Sequence, residues 1–285
     1  MKAPPFRYHA PRSLPEAVEL LNTLDNARVL GGGQSLMPML NLRLAAPDHV
    51  IDLGNISELR GIVEMDDAIA IGAMTTQREI EKSTVVNRAC SLLSQAVAHV
   101  GHQQTRNRGT VGGSLCHFDP SAELPVAASA LDANLTIAGP SGARTLPFSE
   151  FPIGLMTTAL GENEILTRID IAKRDAKTCA AFLEFNRRPA DFAIVSVAVE
   201  LALGEDDRVR HTAVAVGGLD YAPIRLRAAE NILTGQRLSA DLFEYASKAA
   251  DDLDCEGDAL YPAEYRRDLC RVLLRRALQK ATRIC

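Results

Sequence analysis

The chain has 285 residues, 47% of them hydrophobic, and a formal charge of −5, which describes a soluble globular protein long enough for two domains. A net acidic charge leaves no footprint for non-specific nucleic-acid binding, and 5% aromatics without tryptophan leave little for stacking single-stranded bases. No apolar run reaches the roughly 18–20 residues that span a bilayer, and the opening "MKAPPFRYHAPRSLPEAVEL" lacks the apolar stretch of a signal peptide, so a cytoplasmic protein is expected.

Ser13 followed by Glu16 is a capping-box pattern, and Ala17, Leu20, Leu21 and Leu24 repeat at i, i+3, i+4 and i+7, predicting an amphipathic helix. "ARVL" reads as a short buried strand running into three consecutive glycines. "HVIDL" is a strand, and "GIVEMDDAIAIGA" predicts a hairpin turned on Met65, Asp66 and Asp67. Thr76 with Glu79 opens a short helix, and "RACSLLSQAVAHV" reads as one longer helix. A second glycine-rich loop, "NRGTVGGSL", precedes a helix from about Ser121 to Ala130. "NLTIAG" and "EILTRIDIA" are strands joined by a loop of small and polar residues. Beyond Lys173 come long strands, "AAFLEF", "FAIVSVAVELAL" and "VRHTAVAVGGL", then three helical segments. In the last, Tyr265, Leu269, Val272 and Leu273 mark the packed face. These elements divide the chain near residue 176, into an N-terminal α/β portion and a C-terminal α+β portion.

Six cysteines, none closer than fifteen residues to the next and none in CxxC, argue against zinc or iron–sulfur ligation and point to a reduced thiol set. "DLDCEGDALYPAE" begins like a calcium loop but has Ala263 where the bidentate glutamate belongs, so it reads as a solvated acidic turn. His99 and His102 lack a third ligand, and His117 reads as a hydrogen-bonded structural residue. No metal site is expected.

The glycine motifs are "GGGQS" at 31–35 and "TVGGS" at 110–114. Each is expected to present backbone N–H groups with few side chains in the way, as a phosphate oxygen requires. Neither is a P-loop, a GxGxxG fingerprint or a nucleophile elbow. Two such loops suit one diphosphate bound outside a Rossmann fold; taken singly, each also fits a plain tight turn.

Together with their flanks, "GGGQSLMPMLNLRLAAPDHVIDL" and "GHQQTRNRGTVGGSLCHFDPSAELP" closely resemble the FAD-binding medium subunit of the molybdenum hydroxylases, the xanthine dehydrogenase and carbon monoxide dehydrogenase family. The resemblance continues through "FLEFNRRPADFAIVSVAV", "GGLDYAPIRLRAAENILTG" and "AEYRRDLCRVLLRRAL" and so covers nearly the whole chain. It implies an α+β protein: a two-part FAD-binding domain of the vanillyl-alcohol oxidase (PCMH) type at 1–176, then a smaller C-terminal domain at 177–285 like that of the carbon monoxide dehydrogenase flavoprotein. Carried over, Gly31, Gly32, Gly33, Gln34, Ser35 and Leu36 hold the FAD diphosphate from one side, and Thr110, Gly112, Gly113 and Ser114 from the other. Relatives often have Ala and His where this chain has Gly31 and Gln34, which leaves backbone donors unaffected.

Glu123 aligns with an acidic residue that contacts the flavin end, with Asp119 close by; the other reading is helix chemistry, Asp119 as an N-cap before Pro120 and Glu123 in the first turns. Residues 184–194 match a loop over the isoalloxazine ring, with Phe192 facing the ring and Arg187 and Arg188 supplying positive charge. The other readings are a solvated turn for the arginines and a core position for Phe192. Leu183 stands where xanthine dehydrogenase has a lysine, so that enzyme's NAD chemistry is not transferred.

The function implied is an electron-transfer subunit with no catalytic residue of its own. It takes electrons from the [2Fe–2S] clusters of a small partner subunit, beside a molybdopterin-binding large subunit, in a heterotrimer or its dimer. A stand-alone FAD-dependent reductase or oxidase, and a non-catalytic scaffold whose glycine loops are only turns, are the alternatives.

Overall fold

The computed structural model describes residues 2–175 and 177–283. The chain first alternates strand and helix: β1 (Arg7–His9), α1 (Leu14–Thr23), β2 (Ala27–Leu30), α2 (Leu36–Leu42) and β3 (His49–Asp52). The three strands make a parallel sheet in the order β1–β3–β2. Ser13 caps α1 through the Glu16 N–H, but the Glu16 carboxylate accepts from Arg12 N–H at 2.8 Å, so the predicted box closes one residue early.

Next come β4 (Ile62–Glu64) and β5 (Ala68–Gly72), the expected hairpin, with Met65 N–H bonded to Ala68 O. Six helices follow: α3 (Gln77–Lys82), α4 (Thr84–Ala89), α5 (Ser91–His99), α6 (Gln103–Arg106), α7 (Val111–His117) and α8 (Glu123–Ala130). Thr76 and Glu79 form a complete capping box on α3. The single long helix expected around Cys90 is two, because the chain breaks at that residue. Cys90 is buried and the freed Ala89 carbonyl accepts from the distant Arg174 N–H, a partner no local pattern announces.

β6 (Asn134–Gly139), β7 (Gly142–Pro147), a small hairpin of β8 (Pro152–Gly154) and β9 (Thr157–Thr158), and β10 (Ile165–Ala172) complete this part. The main sheet is antiparallel, in the order β4–β5–β10–β6–β7. The segment expected to be a loop thus carries three strands. β7 is a largely exposed edge strand, so it lacks the apolar alternation by which strands are read.

The C-terminal part has the antiparallel sheet β11 (Thr178–Phe185), β12 (Val195–Leu203), β13 (Val209–Gly217) and β14 (Ile224–Arg225), then α9 (Arg227–Leu233), α10 (Ala240–Ser247) and α11 (Ala263–Thr282). Both faces of β12 are buried. Val195, Val197, Val199 and Leu201 pack under α9–α11, whereas Ala198, with Ala180, Phe182, Ala213 and Ala215, packs into the core of the preceding part. Small residues on that face let α5 and α8 approach the sheet closely. On α11 the buried face is Cys270, Leu273, Leu274, Ala277, Leu278 and Ala281. It is rotated from the predicted face, which shares only Leu273, so that Leu273, Leu274 and Leu278 meet the core together with Cys270, Ala277 and Ala281.

The boundary predicted near residue 176 falls on a position outside the described residues. Two ion pairs clip the parts together beside it. Arg174 Nε meets the buried Glu200 at 2.6 Å, and Arg225 Nη1 donates to Ser129 O at 2.7 Å and Asp132 at 2.6 Å. Gln95 on α5 also pairs like an extra strand with the edge of β11, donating to Ala180 O and accepting from Phe182 N–H. Cys179 is disulfide-bonded, a correction to the fully reduced thiol set, since wide spacing excludes only local pairing. Among the described residues no helix is long and apolar enough to cross a membrane.

Candidate functional site

A single cleft of about 1310 Å³ runs between the parts, above the roughly 300–1,000 Å³ typical of small-ligand pockets and suited to a long ligand. Of the residues singled out from the sequence, 31–36, Thr110, Gly112, Gly113, Ser114, Asp119, Glu123, Arg187 and Phe192 line it. Arg188 is not among the lining residues.

One wall is the connection from β2 to α2. Gly33 takes φ +74°, which turns the chain into α2 at little steric cost. Met37 N–H closes on Gly33 O and Met39 N–H on Ser35 O, each at 3.2 Å. Among the described residues nothing accepts from the N–H groups of Gly32, Gly33, Gln34, Ser35 and Leu36. Gln34 turns its side chain back onto Gly32 O at 3.3 Å, bracing the loop.

The facing wall is not the loop the sequence suggested. Thr110 is the N-cap of α7, and Gly112, Gly113 and Ser114 lie in its first turns. Their N–H groups are already engaged: Val111 to Thr75 O, Gly112 to Ala73 O, Gly113 to the Thr110 hydroxyl and Ser114 to Thr110 O. The β5–α3 connection and the helix's own cap thus consume the donors that glycine spacing alone appeared to offer.

The glycines also serve the protein itself. A Cβ on Gly32 would lie 2.0 Å from Arg108 O, and one on Gly112 would lie 2.6 Å from the Ala73 Cβ. Gly32 is needed where the two walls touch, and Gly112 where α7 packs against the β5–α3 connection at Ala73. Gly31 and Gly113 differ, since a Cβ there would meet first the Thr110 hydroxyl, at 3.0 and 2.8 Å.

At the cleft's inner end Asp119 accepts from Ser121 N–H, and Glu123 begins α8, 7% exposed. Burial pushes the Glu123 carboxyl up to about 8, and the Glu184 and Asp119 charges act in the same direction. Glu123 is therefore mostly protonated at neutral pH and able to donate a hydrogen bond.

From the C-terminal part, the β11–β12 hairpin brings Arg187 and Phe192 to the mouth. Phe192 is 73% exposed, so it is not a core residue. The base of this hairpin is held by Arg266 of α11, whose Nη1 donates to Ile194 O at 2.8 Å and Gly218 O at 2.5 Å. Arg266 Nη2 meets Asp258 at 2.6 Å, and its guanidinium lies 5.7 Å from the Tyr261 ring centre. Sequence reasoning missed Arg266, Tyr261 and Asp258. The "acidic turn" contains Asp258 and Tyr261: Asp258 accepts from Tyr261 and Leu260 N–H, which with Arg266 of α11 holds its carboxyl below the usual range. The β8–β9 hairpin, through Met156, Thr157 and Thr158, was also missed and lines the same cleft.

Among the described residues no group of histidine, cysteine or acidic side chains is arranged to hold a metal. His99 contacts Glu184 at 3.3 Å, and His102 occupies the N-cap position of α6 without a side-chain capping bond. His117 lies in α7 and lines the cleft.

Residues 4–173 match the family model of the FAD binding domain in molybdopterin dehydrogenase, and residues 180–281 that of the CO dehydrogenase flavoprotein C-terminal domain. The nicotine 6-hydroxylase medium subunit of Paenarthrobacter nicotinovorans is 37% identical, over 99% of each chain. The carbon monoxide dehydrogenase medium chain of Hydrogenophaga pseudoflava is 34% identical over the whole of each. Among solved structures, quinoline 2-oxidoreductase from Pseudomonas putida 86 superposes with a TM-score of 0.95 at 33% identity, covering 99% of each chain. With family models covering both parts and relatives matched end to end, the chain belongs to the molybdenum hydroxylase family of oxidoreductases, as one of its FAD-binding medium subunits.

Proposed function

We propose that the chain holds FAD along this cleft and carries electrons for a molybdopterin-dependent hydroxylase or dehydrogenase. One observation carries the reading: two sequence-distant glycine walls and a C-terminal hairpin meet in a single long cleft. The donor set fits the cofactor. The uncommitted N–H groups of residues 32–36 suit a diphosphate, as oriented backbone donors do. The opposite wall contributes the Ser114 side chain and a surface without a Cβ atom at Gly113 rather than backbone donors. Asp119, Glu123, Arg187 and Phe192 surround the end left for the ring.

FAD supplies the redox chemistry; the protein supplies position, electrostatics and exclusion of water. Arg266 holds the Phe192 hairpin at the mouth, and Glu123 presents a protonated carboxyl to the interior. No nucleophile or general base is needed, so no residue here is assigned as catalytic. Electrons arrive from the [2Fe–2S] clusters of a small subunit, which are reduced by a molybdopterin-binding large subunit, and leave to an external acceptor. The assembly is a cytoplasmic heterotrimer or its dimer, and a stable interface of this kind buries about 1,200 Å² or more. The substrate site lies on another polypeptide.

Expression of the chain alone and together with candidate large and small subunits tests the whole reading. The lone chain should show flavin absorbance, contain neither iron nor molybdenum, and oxidise no organic substrate. Turnover should appear only in the complex. A colourless chain would favour the scaffold, and turnover of a nitrogen heterocycle, aldehyde or carbon monoxide by the metal-free chain would favour a stand-alone flavoenzyme.

A further inference from the structure

The tip of the β11–β12 hairpin, residues 186–193, carries Arg187 and Phe192 to the cleft mouth. Among the described residues, these positions hydrogen-bond only within the hairpin: Asp191 N–H to Arg188 O, and Asn186 Nδ2 to Glu184 and Asp191 O. Phe192 is exposed, so packing does not seat it either. On the strand leaving the tip, the first bond to the rest of the molecule falls two residues beyond Phe192, where Ile194 O accepts from Arg266 Nη1 at 2.8 Å. The same Nη1 donates to Gly218 O at 2.5 Å. Gly218 lies directly against the hairpin base, since a Cβ there would stand 2.3 Å from Ile194 O, and its φ of +82° suits glycine. Its N–H bonds to Pro120 O at 3.2 Å, between Asp119 and Ser121 at the inner end of the cleft. One guanidinium therefore joins the mouth hairpin to the corner that carries Asp119 and Glu123.

The guanidinium is itself fixed. Asp258 takes Nη2 at 2.6 Å, Nε donates to Tyr261 O at 3.4 Å, and the Tyr261 ring, stacked on Tyr265, backs its face. Only 13% of the side chain is exposed, so water competes little for these bonds. A planar fork of donors spans two carbonyls and a carboxylate at once, which a lysine ammonium does not reproduce.

We propose that Arg266 is the positioning residue that sets how far the bound flavin ring is open to its electron acceptor. The proposal rests on the FAD reading given above. Arg266 acts through other residues: it seats the Phe192 hairpin over the ring end of the cleft and ties it to the Asp119–Glu123 corner. With the hold in place, a small acceptor reaches the ring only past Phe192. Without it, Ile194 O and Gly218 O lose their charged donor. The tip, which has no polar tether of its own, then moves away from the cleft. Asp258 and Tyr261 share in the role because they orient the fork.

The test combines trypsin and dioxygen. Trypsin reports the tip, because Arg187 is exposed and the following Arg188–Pro189 bond resists the protease. Cleavage after Arg187 should be faster in Arg266→Gln than in wild type by about fivefold or more, since cleavage follows the population of the open form. Dioxygen reports the ring: it takes two electrons and two protons from the photoreduced flavin, leaving oxidised flavin and hydrogen peroxide. Reoxidation should be about threefold faster or more in Arg266→Gln and in Phe192→Ala, and the double variant should be no faster than the faster single one. Single effects that multiply in the double variant would show that Arg266 acts elsewhere and overturn the proposal. A wild-type rate for Arg266→Gln in either assay overturns it too, whatever that variant's thermal midpoint. If Arg266→Gln does not fold, Asp258→Asn decides: both rates should rise about twofold or more, and an unchanged rate in either assay overturns the proposal. A wild-type chain without visible absorbance instead sinks the FAD reading, and trypsin then still decides whether Arg266 holds the hairpin.

Discussion

Glu123 shows how far one residue's chemistry is set by its surroundings. On the sequence it is an acid near a helix start; in the fold it is enclosed, and its carboxyl titrates near 8 instead of the ordinary 4.5. Between those values the folded chain holds a proton that the unfolded chain has lost. Stability is therefore complete below about pH 4.5 and falls as pH rises towards 8, by about 1.4 kcal/mol per pH unit at most. Urea midpoints of the isolated chain between pH 5 and 8 should show this decline, and Glu123→Gln should flatten it. An equal pH slope in both proteins would show that the carboxyl ionises freely.

At the level of elements, the two glycine walls divide into positions that serve packing and positions that face the cleft. Gly32 lies against the Arg108 carbonyl and Gly109, so Gly32→Val forces a backbone shift and should cost about 3 kcal/mol or more. Gly113→Val meets only the Thr110 hydroxyl, weakening a cap worth about 1 kcal/mol, yet it places a branched side chain in the cleft. The expected result is a thermally fragile Gly32 variant and a folded Gly113 variant with depleted flavin. Circular dichroism and flavin absorbance on the same samples separate them. A Gly113 variant with full flavin content would remove α7 from the binding wall.

At the level of the whole molecule, the two parts are joined by buried charge as well as by small side chains. Burial holds the Glu200 carboxyl above its usual range despite Arg174 alongside. Removing one member of such a pair strands the other. Glu200→Ala should therefore destabilise by about 3–5 kcal/mol, and the double change Arg174→Met, Glu200→Leu should recover most of it. Chemical denaturation of the three variants measures this. A loss below 1 kcal/mol in Glu200→Ala would mean that the joint depends on packing alone.

The sequence by itself determined what short-range physics controls. The caps at Ser13 and Thr76, the hairpin at Met65 and the long strands beyond Lys173 were legible, because turns, caps and apolar runs are written within a few residues, and the glycine walls were legible through the family resemblance of their motifs. What it left unread depends on residues far apart in the chain. The break at Cys90 is completed by Arg174, the Gly113 donor is consumed by its own helix cap, and the packed face of α11 is chosen by the sheet it meets. Arg266 enters the site only because α11 packs beside the ends of β12 and β13. Burial of Glu123 and Glu184 is likewise a property of the assembled fold. Desolvation and the Coulomb energy between side chains depend on distance in space, and tertiary packing alone sets that distance.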